Sequence, residues 1–217
     1  MALSSDTQIL SDYSVPVATD QLPLTKPDFV RSQAIRAAET LLATHGLSVT
    51  MDLVAEASGI SRRSLFRHFE SRDALVAAAL DARILSYEVE LNSVTAAGGE
   101  LSEWLATIIE HTHRSHIAAG LGMWELASAA DGDLPAEFRE VNARRRAMRL
   151  RATKQLAAQA WQAGGGNGST PEVVVEAIAM AASSFATYAL VVDLDQSVEV
   201  ASKLGAAVVT AVIEANL

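Results

Sequence analysis

Almost every segment of this chain repeats its apolar residues at intervals of three and four, and none alternates at the interval of two that a half-buried strand needs. The pattern predicts an all-α fold. Residues 27–45 place Phe29, Ala34, Ile35, Ala38, Leu41 and Leu42 on one face, and Gly46 ends the segment. Thr50 caps a short helix over 51–58, Gly59 supplies a turn, and Ser61 caps a third helix through 69. Ser71 opens a fourth helix to about residue 92, followed by the break TAAGGE at 95–100. Further helices are expected over 101–118, 121–130 and 135–163, then a glycine-rich loop at 164–169. Thr170 and Pro171 read as the N-cap and first position of a helix to residue 192, and a last helix fills 196–215.

Composition narrows what those helices do. Half of the 217 residues are apolar but only 5% are aromatic, which suits helices packed closely through alanine and other small side chains. With no cysteine, disulfide scaffolds, thiolate nucleophiles and cysteine-built zinc sites are excluded, and a reducing cytoplasm is the expected location. Residues 1–26 lack a basic and then continuously apolar leader, and read as a disordered arm. Residues 171–192 approach the length of a membrane span. They contain Glu176, are rich in Ala, Ser and Thr, and have no basic flank, so a helix buried among helices is expected and no membrane partner.

Charge is distributed unevenly. The net charge is −9, yet residues 59–72, GISRRSLFRHFESR, hold four arginines against one glutamate. A helix-turn-helix needs a small residue where its helices touch, a turn glycine, and apolar residues holding the second helix down. Ala55, Gly59 and Ile60 meet the first two needs, and Leu65 and Phe69, four apart, meet the third. Arg62, Arg63, Phe66 and Arg67 then point outward, with Ser64 and His68 at the margins. Guanidinium groups on an exposed short helix suit phosphates and guanine edges alike, and Arg72 at the next helix start suits a phosphate. Thr50 and Ser61, at the two helix starts, complete the candidate DNA contacts. The competing reading is a solvated arginine face on an ordinary helical hairpin.

Thr50, Val54-Ala55, Ala57, Gly59-Ile60-Ser61, Leu65 through Phe69, and Arg72 with Leu75 together resemble the N-terminal domain of the TetR family of transcriptional regulators. The likeness covers about residues 28–76. It implies a DNA-binding domain at 27–76 and a larger helical domain at 77–217 that binds a small molecule and dimerises through its last two helices. On this resemblance the chain is not an enzyme, uses no cofactor, and acts as a homodimeric repressor on a palindromic operator, released by an unknown small-molecule effector. The family commonly has tyrosine where Phe66 stands and often lysine where Arg72 stands, which blurs any sequence preference.

The rest of the chain offers its own signals. Residues 173–192 and 198–213 are apolar over more than one stripe, as expected of helices shared between two copies. Trp104, Ile108 and His111 fall on one helix face; with Met123, Trp124, Phe185 and Tyr188 they are the expected lining of an effector pocket, plain core packing being the alternative. His111, His113 and His116 suggest a helical-bundle metalloenzyme as a second reading, although only the last two share a helix side and no metal ligand set is expected. Arginines at 144, 145, 146, 149 and 151 spread over several faces of one helix, with Glu140 placed to pair with Arg144. A solvated surface helix is the expectation there, a secondary contact to nucleic acid or an acidic ligand the alternative.

Overall fold

The computed structural model describes residues 26–94 and 99–217. The expected disordered arm, up to residue 25, and residues 95–98 of the expected break lie outside the described residues. The elements are α1 (Lys26–His45), a 3-10 turn (Gly46–Ser48), α2 (Met51–Ser58), α3 (Arg62–His68), α4 (Arg72–Val94) and α5 (Leu101–Ser128). A second 3-10 turn (Asp131–Asp133) leads to α6 (Ala136–Ala163), α7 (Glu172–Ala181) and the short α8 (Ser184–Thr187). A wide π-helical turn (Tyr188–Asp193) and α9 (Val198–Glu214) complete the order. No strand occurs among the described residues. The fold is all-α, with a helix-turn-helix at its N-terminal end and a larger helical body beyond it.

Local chemistry sets most boundaries. The Thr50 hydroxyl accepts the Leu53 N–H at 3.3 Å, and Ser61 accepts that of Ser64 at 3.2 Å. Each satisfies a donor the helix start leaves open, worth about 1 kcal/mol. Ser197 does the same for α9, accepting the Val200 N–H. Gly59 closes α2 at φ 67°, left-handed backbone in which a Cβ is penalised.

Four expectations change. The helices expected at 101–118 and 121–130 form one run, α5, bent where Gly120 adopts φ 63° and ψ −155°. Pro171 itself occupies the N-cap of α7, at φ −60° and ψ 141°, and no side chain caps it. The helix expected to reach residue 192 stops at Ala181, because Ser183 turns extended and its hydroxyl accepts the Ala186 N–H at 2.9 Å, starting α8 afresh. Phe29 is 53% exposed, lying in α1 before the helix meets its neighbours.

Two apolar cores stabilise the molecule. The first joins α1 to α4 through Ala34, Val54, Leu65, Phe69 and Leu80, and continues into Leu126, Phe138 and Met148 of the body. The second packs Ile108 and Ile109 of α5 against Leu156 and Trp161 of α6, Ile178 of α7 and Val209 of α9. Each fully buried Leu, Ile or Phe contributes about 1.5–3 kcal/mol. α4 crosses residue 76 unbroken and takes part in both cores, so one helix joins the N-terminal helices to the body. Among the described residues no single helix is long and apolar enough to cross a membrane; α7 with the segment 184–193 reaches that length only as a pair bent by 46°.

Candidate nucleic-acid interface and internal cavity

α3 is held by its neighbours from one side and left open on the other. Leu65 is fully buried and Phe69 nearly so. Arg31 of α1 donates to the His68 carbonyl at 2.9 Å and stacks over the Phe69 ring at 4.5 Å, while Gln33 donates to the Ser58 carbonyl at 2.7 Å. These contacts fix α2 and α3 on α1, as a rigid reading head requires. Thr50, Ser61, Arg62, Arg63, Phe66 and Arg67 are exposed, and Ser64 and His68 are partly so.

Their partners separate the arginines. Arg62 is held by Asp52 of α2, with both carboxylate oxygens 3.0 Å from Nη1, and lies over the Phe66 ring at 5.6 Å. Arg63 and Arg67, one turn apart, form no ion pair among the described residues. Arg72 departs from its expected setting. Its Nε donates to the Val49 carbonyl at 2.7 Å, its Nη1 pairs with Asp73, and its guanidinium stacks over Phe138 of α6 at 5.7 Å. Its side chain ties the reading head to the body instead of pointing to solvent.

The body encloses a cavity between α4, α5, α6 and α7–α8. Of the expected lining, Ile108, Met123, Trp124 and Tyr188 reach it. Trp104 and His111 do not: Trp104 is buried in the second core, and His111 turns toward Glu90 of α4 at 3.8 Å. Phe185 does not line it either; it is 54% exposed and meets Trp124 edge-on from outside. Trp124 stacks on Tyr188 with ring centroids 4.0 Å apart, closing one end.

The sequence reading missed the polar part of the wall. Arg83 and Tyr87 of α4, His116 of α5, and Arg145 and Arg149 of α6 all line the cavity. The signal lay in spacing: Arg145, Arg149, Ala152 and Leu156 recur at four, three and four, so two arginines occupy the stripe that buries Leu156. The outward arginines pair across the fold. Arg144 meets Asp81 and not the expected Glu140, Arg146 meets Asp131, and Arg151 lies 3.6 Å from Glu88.

Burial sets the charge states of this wall. It pushes His116 down to about 3, helped by interaction with His113 and with the cations Arg149, Arg145 and Arg83, so the ring is neutral at pH 7. Burial, then the neighbouring Arg149 and Arg146, push Arg145 down to about 10, still a cation at neutral pH, and burial lowers Arg149 as well. The Tyr87 phenol is raised, mainly by burial. His113 and His116 both meet the Thr187 hydroxyl through Nδ1, at 2.8 and 2.9 Å. With His111 facing Glu90, the three histidines of the metalloenzyme reading do not converge, and no group of three metal-ligating side chains occurs among the described residues.

Cavity and reading head touch through the bend in α5. At Gly120 the helix passes so near α1 that a Cβ would lie 2.5 Å from the Ala43 carbonyl oxygen. Five residues on, Glu125 accepts the Leu47 N–H at 2.6 Å, holding the turn between α1 and α2. Met123 and Trp124, immediately before it, line the cavity.

Residues 34–79 match the family model of bacterial regulatory proteins, tetR family. No curated protein matches the chain by sequence. Among solved structures, a tetR-family transcriptional regulator from Streptomyces coelicolor superposes with a TM-score of 0.67 at 18% identity, over 87% of this chain and 81% of that one. FadR from Bacillus subtilis, in complex with stearoyl-CoA, gives 0.63 at 13% identity, over 82% and 97%. The fatty acid degradation regulator FadR from Bacillus halodurans gives 0.63 at 14%, over 83% and 94%. The N-terminal helices thus carry the model of the tetR family of bacterial regulatory proteins, and the chain shares the fold of these regulators over most of its length.

Proposed function

We propose that the chain is a ligand-responsive transcriptional repressor that binds a palindromic operator as a homodimer and is released by a small-molecule effector. The observation that carries this reading is the pair Arg63 and Arg67, exposed and without ion-pair partners among the described residues, on a capped helix braced against α1. Residues 27–76 serve as the DNA-reading unit and 77–217 as the effector and dimer unit. Thr50, Ser61 and Ser64 approach phosphates, Arg62, Arg63 and Arg67 share phosphate and base-edge contacts, and Phe66 and His68 flank them. Arg72 positions the head through Val49 and Phe138.

A second copy accounts for the outer face of the last helices. Val200, Leu204 and Val208 form a stripe at four-residue spacing on α9, each at least 43% exposed, while Ala201, Gly205 and Val209 pack inward. Met180 and Phe185 extend the apolar surface. Two copies joined there would present two reading heads to adjacent major grooves, as a palindrome requires.

Effector release then follows from shared elements. A ligand that prefers one arrangement of the cavity wall shifts α4 and the Met123–Trp124 end of α5, and with them the turn that Glu125 holds. A coupling of about 1–3 kcal/mol suffices. Support for a small-molecule role comes from the cavity, and from B. subtilis FadR holding stearoyl-CoA in the same fold. A cytoplasmic location fits this role.

Selection of bound DNA from a random pool tests the reading. The expected result is one inverted-repeat site, bound by a species of twice the chain mass in sedimentation. An asymmetric site or a monomer on DNA would overturn it.

A further inference from the structure

The cavity wall carries cations without counter-charges. Arg83 is matched by Glu90 at 3.3 Å. Arg145 and Arg149, one turn apart on α6, have no such partner: no carboxylate pairs with either among the described residues. The Arg145 Nε donates to the Asn142 amide oxygen at 3.0 Å, and the Arg149 Nη2 to the Ala179 carbonyl at 2.7 Å. A guanidinium has five N–H donors, so most of theirs have no protein acceptor among the described residues, on side chains that line the cavity. Two like charges held together and partly desolvated are unfavourable until an anion sits between them.

The remainder of the wall is apolar. Ile84, Leu91, Ile108, Leu156 and Ile178 offer aliphatic surface, and the Trp124–Tyr188 stack offers an aromatic end. A small inorganic ion would leave that surface unused, and an uncharged lipid would leave the arginines unpaired. We infer that the cavity takes an amphipathic oxyanion, its carboxylate or phosphate head bound by Arg145 and Arg149 and its apolar chain or ring lying among the aliphatic side chains. The planar fork of arginine suits either head, since each offers two oxygens to parallel N–H donors. The inference rests on the effector reading above and names the chemical class of that effector.

Calorimetric titration of the full-length chain with octanoate, octyl phosphate and octanol tests it, with octanoate against octyl phosphate identifying the preferred head. At least one anion is expected to bind ten-fold or more tightly than the alcohol. Arg145→Gln should bring that anion to the level of the alcohol, and Arg145→Lys, which keeps the charge and loses the fork, should restore only part of the difference. Arg149→Gln should act likewise; because Arg149 also holds Ala179, the Arg145 variants decide if it misfolds. Equal binding of alcohol and anions, no anion binding at all, or full anion selectivity in Arg145→Gln would each overturn the inference. DNA affinity measured in the same samples keeps the two readings apart. Selective anion binding that leaves DNA affinity unchanged supports this site while overturning the effector mechanism. Absence of anion selectivity in the unaltered protein, with intact DNA binding, overturns this site alone.

Discussion

α3 and α6 both carry arginines four residues apart, and the two pairs live in opposite surroundings. Arg63 and Arg67 are exposed on a helix whose other side is fully buried, so their charge is presented at no desolvation cost. Arg145 and Arg149 are partly buried in a wall with no carboxylate opposite, so theirs is held at a cost. Arg144, Arg146 and Arg151 of α6 are matched outward to Asp81, Asp131 and Glu88, and Arg139 donates to the Leu134 carbonyl. The same residue type thus yields an open contact surface, an internal receptor for charge, or a surface clip, depending on what faces it.

The largest effect expected from that contrast is on DNA. Replacing Arg63 or Arg67 with alanine should each weaken binding to the selected site by about 1–3 kcal/mol, roughly 5- to 150-fold, with the fold and dimer intact. Fluorescence anisotropy across a salt series should also show the salt slope falling by about one for each lost phosphate contact. Unchanged affinity in both variants would remove the distinction between the two pairs.

A smaller effect concerns acid. In the unfolded chain His116 takes up a proton near its ordinary 6.5, whereas in the fold it does so only near 3. Between those values the unfolded chain binds more protons, so stability is present above pH 6.5 and is lost as pH falls below it. His113, also lowered by burial, acts in the same sense. Thermal unfolding from pH 6.5 to 5 should therefore show a falling midpoint, and His116→Asn should flatten the slope. An identical slope in the variant would show that burial and the cationic neighbours do not depress the ring.

The third effect has the opposite sign. Arg145→Met, which removes one uncompensated cation from an apolar wall, should raise the unfolding midpoint of the ligand-free protein by an amount on the order of 1 kcal/mol. A lowered midpoint would mean that its bond to Asn142 outweighs the desolvation. The smallest change is expected for Arg144→Ala, whose pair with Asp81 is about half exposed. It should cost less than about 1 kcal/mol in chemical denaturation, and a larger loss would place this clip among the internal contacts.

The two regions also differed in how far the sequence disclosed them. The reading head was legible because its determinants are local: two caps, one left-handed glycine and the Leu65–Phe69 spacing all lie within twenty residues. The final helix and the exposed apolar stripe on it were legible for the same reason. The cavity was half legible. Helical spacing placed Trp104, Ile108 and His111 on neighbouring faces, but which face meets the cavity is decided by how α4 and α9 pack against α5, and only Ile108 reaches it. The contacts of Arg72 were not legible because its partners, Val49 and Phe138, are distant in sequence. The break at Ala182–Ser183 was missed because a capping serine inside an apolar run carries little weight against helical periodicity.

The bend at Gly120 makes the few residues that follow it a segment of fixed length. Its close passage past Ala43 and the grip of Glu125 on Leu47 are anchored five positions apart on a turning helix. One residue inserted or removed between them would swing the carboxylate about 100° around the axis, away from the amide it holds. Any chain of this fold that uses the same tether is therefore expected to keep this interval constant.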